Sequence, residues 1–259
     1  MLKIIGMTRD QLLGIHPASL KRPGDGVRLL TELEVVYIAQ TLGAFWRYDY
    51  VAAKIGRVGL HAELKSGLHS DGFFISRILL ESPNIRLIIA DQQALRFRQL
   101  ALPHPDWVAG IPDGATDLGK DVADLFGANL ALMKKEDGRI STVSQIPDGE
   151  TLLLVEDFCT RGTGYIETVL DILAKQPKVR VLPYELVIIN RGGLDSIKVS
   201  IGNGAEFVAK VVPVVNYRVN DWKPEECPLC KMGSKAIKPK ATDENWRLIT
   251  TSQLEPVNI

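Results

Sequence analysis

The chain has 259 residues and carries 31 Lys plus Arg against 31 Asp plus Glu, a formal net charge of zero. That balance excludes the basic surplus on which nucleic acid partners depend, and no apolar run approaches the roughly 18 residues that span a bilayer. Apolar residues make up 46% of the chain and cysteines number three, so the expectation is a large core, reduced thiols and a cytoplasmic setting. The apolar part of residues 1–6 is too short for a secretory signal.

Residues 1–60 read as mostly helical. Thr31-Glu32-Leu33-Glu34 has the acidic first turn of a helix start, and Leu33, Val36, Tyr37 and Gln40 to Leu42 follow at helical spacing. Pro17, Pro23, Gly24 and Gly26 break the chain before it. From about residue 61 strands and helices alternate. Ser82-Pro83-Asn84 opens a helix to about Leu100, with Ser at the cap and Pro at the first helical position. Trp107 to Ile111 reads as a strand, followed by Pro112-Asp113-Gly114 and helical periodicity through Phe126. Leu130 to Met133 and Thr151 to Val155 are the next strands, then a glycine loop and a helix from Thr163 to Lys175. Tyr184 to Ile189 and Phe207 to Val215 complete the set. Apolar strands separated by helices predict an α/β fold with a mainly parallel sheet covered on both faces. Ligands in such sheets sit beyond the carboxyl ends of the strands.

The chemistry concentrates where the strand ending at Val155 meets Glu156-Asp157-Phe158-Cys159-Thr160-Arg161-Gly162-Thr163-Gly164. The loop from Thr160 to Gly164 can turn backbone N–H groups toward an anion at a helix N-terminus, and its glycines permit close approach. Glu156 and Asp157 suit a pair of vicinal hydroxyls. A phosphate joined to a diol is a ribose 5-phosphate; the competing reading is an N-capping turn beside two solvated acids. The spacing resembles the phosphoribosyl pyrophosphate (PRPP) motif of type I phosphoribosyltransferases. It departs from that family at Arg161, where Thr is common, and at Thr163 and Gly164, where Gly and then Ser or Thr are usual.

Upstream, Leu64-Lys65-Ser66-Gly67 followed by Ser70 and Phe73-Phe74 is similar to the N-terminal motif of orotate phosphoribosyltransferases, with Leu68 where that family prefers Arg. The resemblance implies that Lys65 contacts the phosphate end of the substrate and that Phe73 and Phe74 lie along the base. Asn190-Arg191 resembles the family's Asp-Arg pair, implying that Arg191 grips the carboxylate of orotate through two parallel bonds. A surface ion pair is the competing reading for it. Asp113, Gly114, Ala115 and Thr116 stand where the family has its pyrophosphate loop, although Asp113 falls near a usual basic residue and needs Mg²⁺ to offset its charge. Lys134 and Lys135, in Met133-Lys134-Lys135-Glu136-Asp137-Gly138-Arg139, match a compressed version of the mobile catalytic loop; otherwise they form a solvated charged turn.

What the resemblance implies is a type I phosphoribosyltransferase-like core over residues 61–220, a mostly helical hood segment over 1–60, a C-terminal extension over 221–259, and a homodimer. It implies a glycosyltransferase of pyrimidine nucleotide biosynthesis that moves ribose 5-phosphate from PRPP to a nucleobase, orotate first among candidates, with Mg²⁺ held mainly by substrate. Asp157, Lys134 and Lys135 are then the catalytic candidates. The alternatives are a PRPP- or nucleotide-binding regulatory protein of the same fold with reduced catalysis, and an enzyme using another acceptor. Cys227-Pro228-Leu229-Cys230 offers half of a tetrahedral zinc site. No second cysteine pair follows, and the four histidines lie at or before residue 104, so two reduced thiols are expected, with zinc shared across a dimer as the minor reading. Lys231, Lys235, Lys238 and Lys240 read as a solvated tail; the alternative is a segment that folds back over the active site and supplies the positive charge missing from the two altered loops.

Overall fold

The computed structural model of the chain describes residues 2–20 and 28–254; the expected break at Pro23, Gly24 and Gly26 lies outside these residues. They divide into two compact units. One comprises residues up to Ile38 together with Ser76–Arg218; the other comprises Ala39–Ile75 together with the residues from Val219 onward. This division cuts across the expected boundaries at 60/61 and 220/221. The reason is backbone pairing, because residues beyond 220 hydrogen-bond to the segment 60–70 rather than trailing as a tail.

The larger unit is built on a six-stranded sheet. Its strands are β1 (Trp107–Gly110), β2 (Asn129–Leu130), β3 (Thr151–Cys159), β4 (Arg180–Asn190), β5 (Ser196–Ser200) and β6 (Glu206–Asn216), in the spatial order β5-β6-β4-β3-β1-β2. Every pairing is parallel except β5 with β6. The helices are α1 (Pro83–Arg98), α2 (Thr116–Phe126) and α3 (Thr163–Lys175). Strand alternation sends Leu152 and Leu154 to one face, where they meet Tyr165, Val169 and Ile172 of α3. α1 and α2 cover the other face, with Phe97 edge-on to Tyr184 at 6.0 Å. A parallel sheet buried on both faces explains the unbroken apolar run Leu152 to Val155.

The expected strand Leu130 to Met133 splits in two. Asn129–Leu130 pairs with β1, whereas Met133–Glu136 pairs antiparallel with Arg139–Thr142 as a separate hairpin. Lys134, Lys135 and Glu136 are all exposed, and a strand buried on both faces has no place for such a run. Residues 2–20 and 28–60 are also less helical than expected. Besides the helices Arg9–Leu13, Glu32–Thr41 and Tyr50–Lys54 they contain the strand Phe45–Arg47.

In the smaller unit that strand pairs antiparallel with Gly72–Phe74. A four-stranded sheet follows the order Asp221–Trp222, His69–Ser70, Leu60–Glu63, Lys235–Ile237. Its core gathers Trp46, Tyr48, Ala62, Cys227, Leu229 and Ile249. The lysine-rich stretch is therefore folded structure: Lys235 opens a strand, Lys238 lies 3.4 Å from Glu63, and the Lys240 ammonium sits 5.9 Å from the Phe73 ring.

Candidate active site

Three parallel strands of the larger unit end side by side. Gly110 pairs with Val155 and Asn190 with Cys159, so the loops after β1, β3 and β4 emerge together. Backbone bonds lock them: the Ile111 N–H donates to the Val155 carbonyl at 2.8 Å, and those of Arg191 and Gly192 donate to the Cys159 carbonyl at 2.7 and 3.1 Å. Gly192 is needed for this closeness, because a Cβ there would fall on the Thr160 carbonyl.

The middle loop opens α3. Gly162 caps the helix in the left-handed region at φ 68° and contributes no side-chain hydrogen bond to it. The first-turn N–H groups of a helix have no partner within it, and the helix dipole makes that end attractive to an anion. Thr160 is half-buried, while Arg161 and Thr163 are exposed at the loop. The loop presents mostly backbone at the helix N-terminus, so the side chains at 161, 163 and 164 do not decide which N–H groups it offers.

Glu156 and Asp157 part company at the strand tip. The Asp157 carboxylate lies directly over Gly114, so close that a Cβ on Gly114 would strike Oδ2, with the Ser76 hydroxyl close by; Oδ1 accepts the Phe158 N–H at 2.8 Å. The loop carrying Asp113, Gly114, Ala115 and Thr116 thus packs against the acid at the end of β3. Glu156 instead turns beneath the middle loop, its Oε1 2.5 Å from where a Cβ on Gly164 would stand. Its Oε2 is buried, as are both carboxyl oxygens of Glu185 on β4, and none meets an N–H or O–H donor among the described residues. Glu156, Glu185 and Cys159 lie within 4.8 Å of one another. Two facing acceptors are satisfied when one carries a proton. Burial, then the hydrogen bond and charge of Glu185, raise the Glu156 carboxyl well above its ordinary range, and burial raises Glu185. Burial first, then the charge of Glu185, raise the Cys159 thiol.

The folded chain therefore holds a proton that the unfolded chain releases above about pH 4.5. A folded-state pKa above the unfolded one gives stability that is complete at low pH and lost as pH rises through the raised value. Over that window the expected loss is about 1.4 kcal/mol per pH unit. Glu185→Gln, which keeps the shape and brings its own donor, should flatten this decline in urea unfolding midpoints measured between pH 5 and pH 9.

Lys134, on the hairpin, is exposed and bridges Glu136 at 2.9 Å; Lys135 is the cation whose charge reaches Glu156. Arg191 is half-buried at the end of β4. A second guanidinium, missed in the sequence, belongs to Arg218, whose Nη2 would lie 2.7 Å from a Cβ on Gly193. It stands two residues beyond the end of β6, where only the pairing of β6 with β4 brings it to this loop.

In the smaller unit, Lys65 is exposed on the turn Leu64–Leu68, where the Leu64 N–H donates to the Leu68 carbonyl at 2.7 Å and Gly67 takes φ 80°. Strand alternation separates the two phenylalanines. Phe74 is buried and stacks on Phe45 at 3.9 Å, while Phe73 is half-buried beside Trp246 at 6.3 Å. Phe74 is thus a packing residue, and Phe73 retains an accessible ring.

No family model matches the chain. Among curated proteins it is 29% identical over 192 residues to the orotate phosphoribosyltransferase of Thermoanaerobacter sp. (strain X514), covering 73% of this chain and 93% of that one. The orotate phosphoribosyltransferase of Pelotomaculum thermopropionicum is 27% identical over 213 residues, 81% of this chain and 97% of its own. Among solved structures, orotate phosphoribosyltransferase from Aeropyrum pernix superposes with a TM-score of 0.50 at 18% identity, over 70% of this chain and 93% of that one. Leishmania donovani UMP synthase gives 0.51 at 16%, over 84% of this chain and 42% of the larger protein. This chain has the type I phosphoribosyltransferase fold and is similar in sequence to orotate phosphoribosyltransferases.

Where the chain departs from the phosphoribosyltransferase pattern it resembles, the structure gives physical reasons. Asn190 replaces an acid because its amide is used at both ends. It is buried, accepts the Leu194 N–H at 3.0 Å, and donates to the Leu194 carbonyl at 2.7 Å and to Asn216 Oδ1 at 2.9 Å. An aspartate would accept but not donate. The basic segment after β2 is a paired hairpin clamped to α3, with the Thr142 N–H bonded to Asp171 at 2.8 Å and Lys175 to Ser141 at 2.6 Å. Among the described residues no helix is long and apolar enough to cross a membrane.

Proposed function

We propose that this chain transfers the 5-phosphoribosyl group of PRPP to a ring nitrogen of orotate and releases pyrophosphate. It is an enzyme of the pentosyltransferase class, the class its relatives' name denotes. The observation that supports this reading most is the junction of three strand ends around a backbone-lined anion cradle with one carboxylate, Asp157, beside it.

In this reading the N–H groups of Gly162, Thr163 and Gly164 take the 5-phosphate, with Thr160 and Arg161 flanking. Asp157 accepts from the ribose hydroxyls, and Glu156 supports the loop from below. Departure of pyrophosphate leaves an oxocarbenium-like ribose, so catalysis is positioning and charge stabilisation. The segment Asp113 to Thr116 and Lys135 face the leaving group, with Lys134 released from Glu136 to join them. Arg191, aided by Arg218, holds the carboxylate of the base; Lys65, Phe73 and Phe74 carry over on the resemblance, with Phe74 acting through packing. Mg²⁺ is a hard cation that wants oxygen ligands, and the exposed Asp113 with Asp157 supplies carboxylates of that kind, so the residues fit an ion held mainly by PRPP. When bound it would neutralise pyrophosphate charge beside Asp113. The reading carries with it a homodimer.

Pyrophosphate release from PRPP and Mg²⁺ across a panel of bases is the test, with orotate expected to give the fastest turnover. The Lys134–Glu136 pair and Asp113 favour a second reading, a PRPP-binding protein with reduced catalysis. Calorimetric PRPP binding without pyrophosphate release for any base would select it.

A further inference from the structure

The smaller unit contains a second cluster that the transferase chemistry does not use. His61 Nε2 lies 3.0 Å from His69 Nδ1, 3.6 Å from Cys227 Sγ and 3.5 Å from Cys230 Sγ, and Cys230 Sγ lies 3.3 Å from His69 Nδ1. All four ligand atoms fall within 4.8 Å of one another. We infer that His61, His69, Cys227 and Cys230 of a single chain form a structural tetrahedral zinc site.

Hydrogen bonding alone does not account for the cluster. One imidazole nitrogen has either one proton or one lone pair, yet His61 Nε2 faces three polar atoms at once. Its protonation is set from the other side. The Ser234 hydroxyl donates to the Gly59 carbonyl at 3.1 Å, so its oxygen accepts from His61 Nδ1, 2.9 Å away. That leaves the Nε2 lone pair bare and aimed at the two thiols, the outer-shell arrangement that orients a ligating histidine.

The separations also match. With Zn–N of about 2.0 Å and Zn–S of about 2.3 Å, a tetrahedron has edges of roughly 3.3 Å between nitrogens and roughly 3.5 Å between nitrogen and sulfur. Two thiolates cancel the ion's charge, which suits a site where His61 and Cys227 are 0% exposed and His69 is 8% exposed. Four protein ligands leave no open position, so the role is structural rather than catalytic. The ion joins both strands of the hairpin that displays Lys65 to the short helix Pro228–Lys231, across more than 160 residues of sequence. The site departs both from the expected pair of reduced thiols and from the minor reading of zinc shared across a dimer, because His61 and His69 stand beside the cysteines of the same chain.

Full-length protein from zinc-supplied cells, purified without chelator, should contain about one zinc per chain by elemental analysis. Cobalt(II) exchanged into it should show the intense visible bands of tetrahedral coordination and a near-ultraviolet thiolate charge-transfer band. Cys230→Ser should abolish both, and Cys159→Ser should leave both intact. A strong chelator should remove the ion and lower the thermal midpoint of the wild type, a readout that stands even if the variants fold poorly. Zinc near half an equivalent with a dimer would overturn the single-chain site. Metal-free protein that takes up no cobalt and melts unchanged with chelator would overturn the inference entirely, whatever the transferase assay shows.

Discussion

Asp157→Asn is expected to lower turnover with PRPP and orotate by two orders of magnitude or more, about 3 kcal/mol of transition-state stabilisation, while leaving the thermal midpoint nearly unchanged. Its carboxylate is half-exposed at a strand tip and, among the described residues, hydrogen-bonds to the adjacent Phe158 N–H. An asparagine oxygen can keep that bond. What it loses is the negative charge beside a ribose that becomes positive, a contribution that counts most in a low-dielectric site. Gly114→Ala is the companion variant, because a methyl there must push the same carboxylate aside. Both should depress kcat more than they raise KM for PRPP. Equal turnover of wild type and Asp157→Asn would remove Asp157 from the mechanism.

Gly192→Ala should be among the most damaging single-methyl changes at the site. The nearest atoms to a Cβ there are the carbonyl oxygen and carbon of Thr160, the latter at 2.8 Å, and backbone cannot swing away as a flexible side chain can. Overpacking of this kind costs about 1–3 kcal/mol and sometimes more. The two loops it forces apart are the anion cradle and the arginine loop, held together by the bonds from Arg191 and Gly192 to Cys159. Stability and PRPP affinity should therefore fall together, in chemical denaturation and in calorimetry. Gly204→Ala is a useful contrast. That glycine has open space around it and only the strain of its φ of 75°, so stability drops without loss of PRPP affinity in the folded fraction.

Much of this site is legible in the primary structure because its parts are close in sequence. The strand Leu152 to Val155, the acids after it and the glycine turn before α3 form one continuous stretch, and local backbone geometry follows from local residue types. The helix from Thr163 to Lys175 has the bounds expected of it. Orientation is another matter. Nothing in the pair Glu156-Asp157 says that one acid turns under the loop to meet Glu185, since that depends on which strand lies beside β3. Likewise Arg218 and the split of the strand after Leu130 depend on neighbours contributed by distant segments.

The zero net charge, the alternation of strands and helices and the glycine turn before α3 were determined by the sequence itself, each through composition or short-range spacing. The pairing of Glu156 with Glu185, the burial of Phe74 and the convergence of His61 and His69 on Cys227 and Cys230 were decided by tertiary structure alone. The physical reason is distance along the chain. A ligand set or acid pair depends on side chains meeting within a few ångströms, and only sheet pairing brings residue 61 to residue 227 or residue 156 to residue 185.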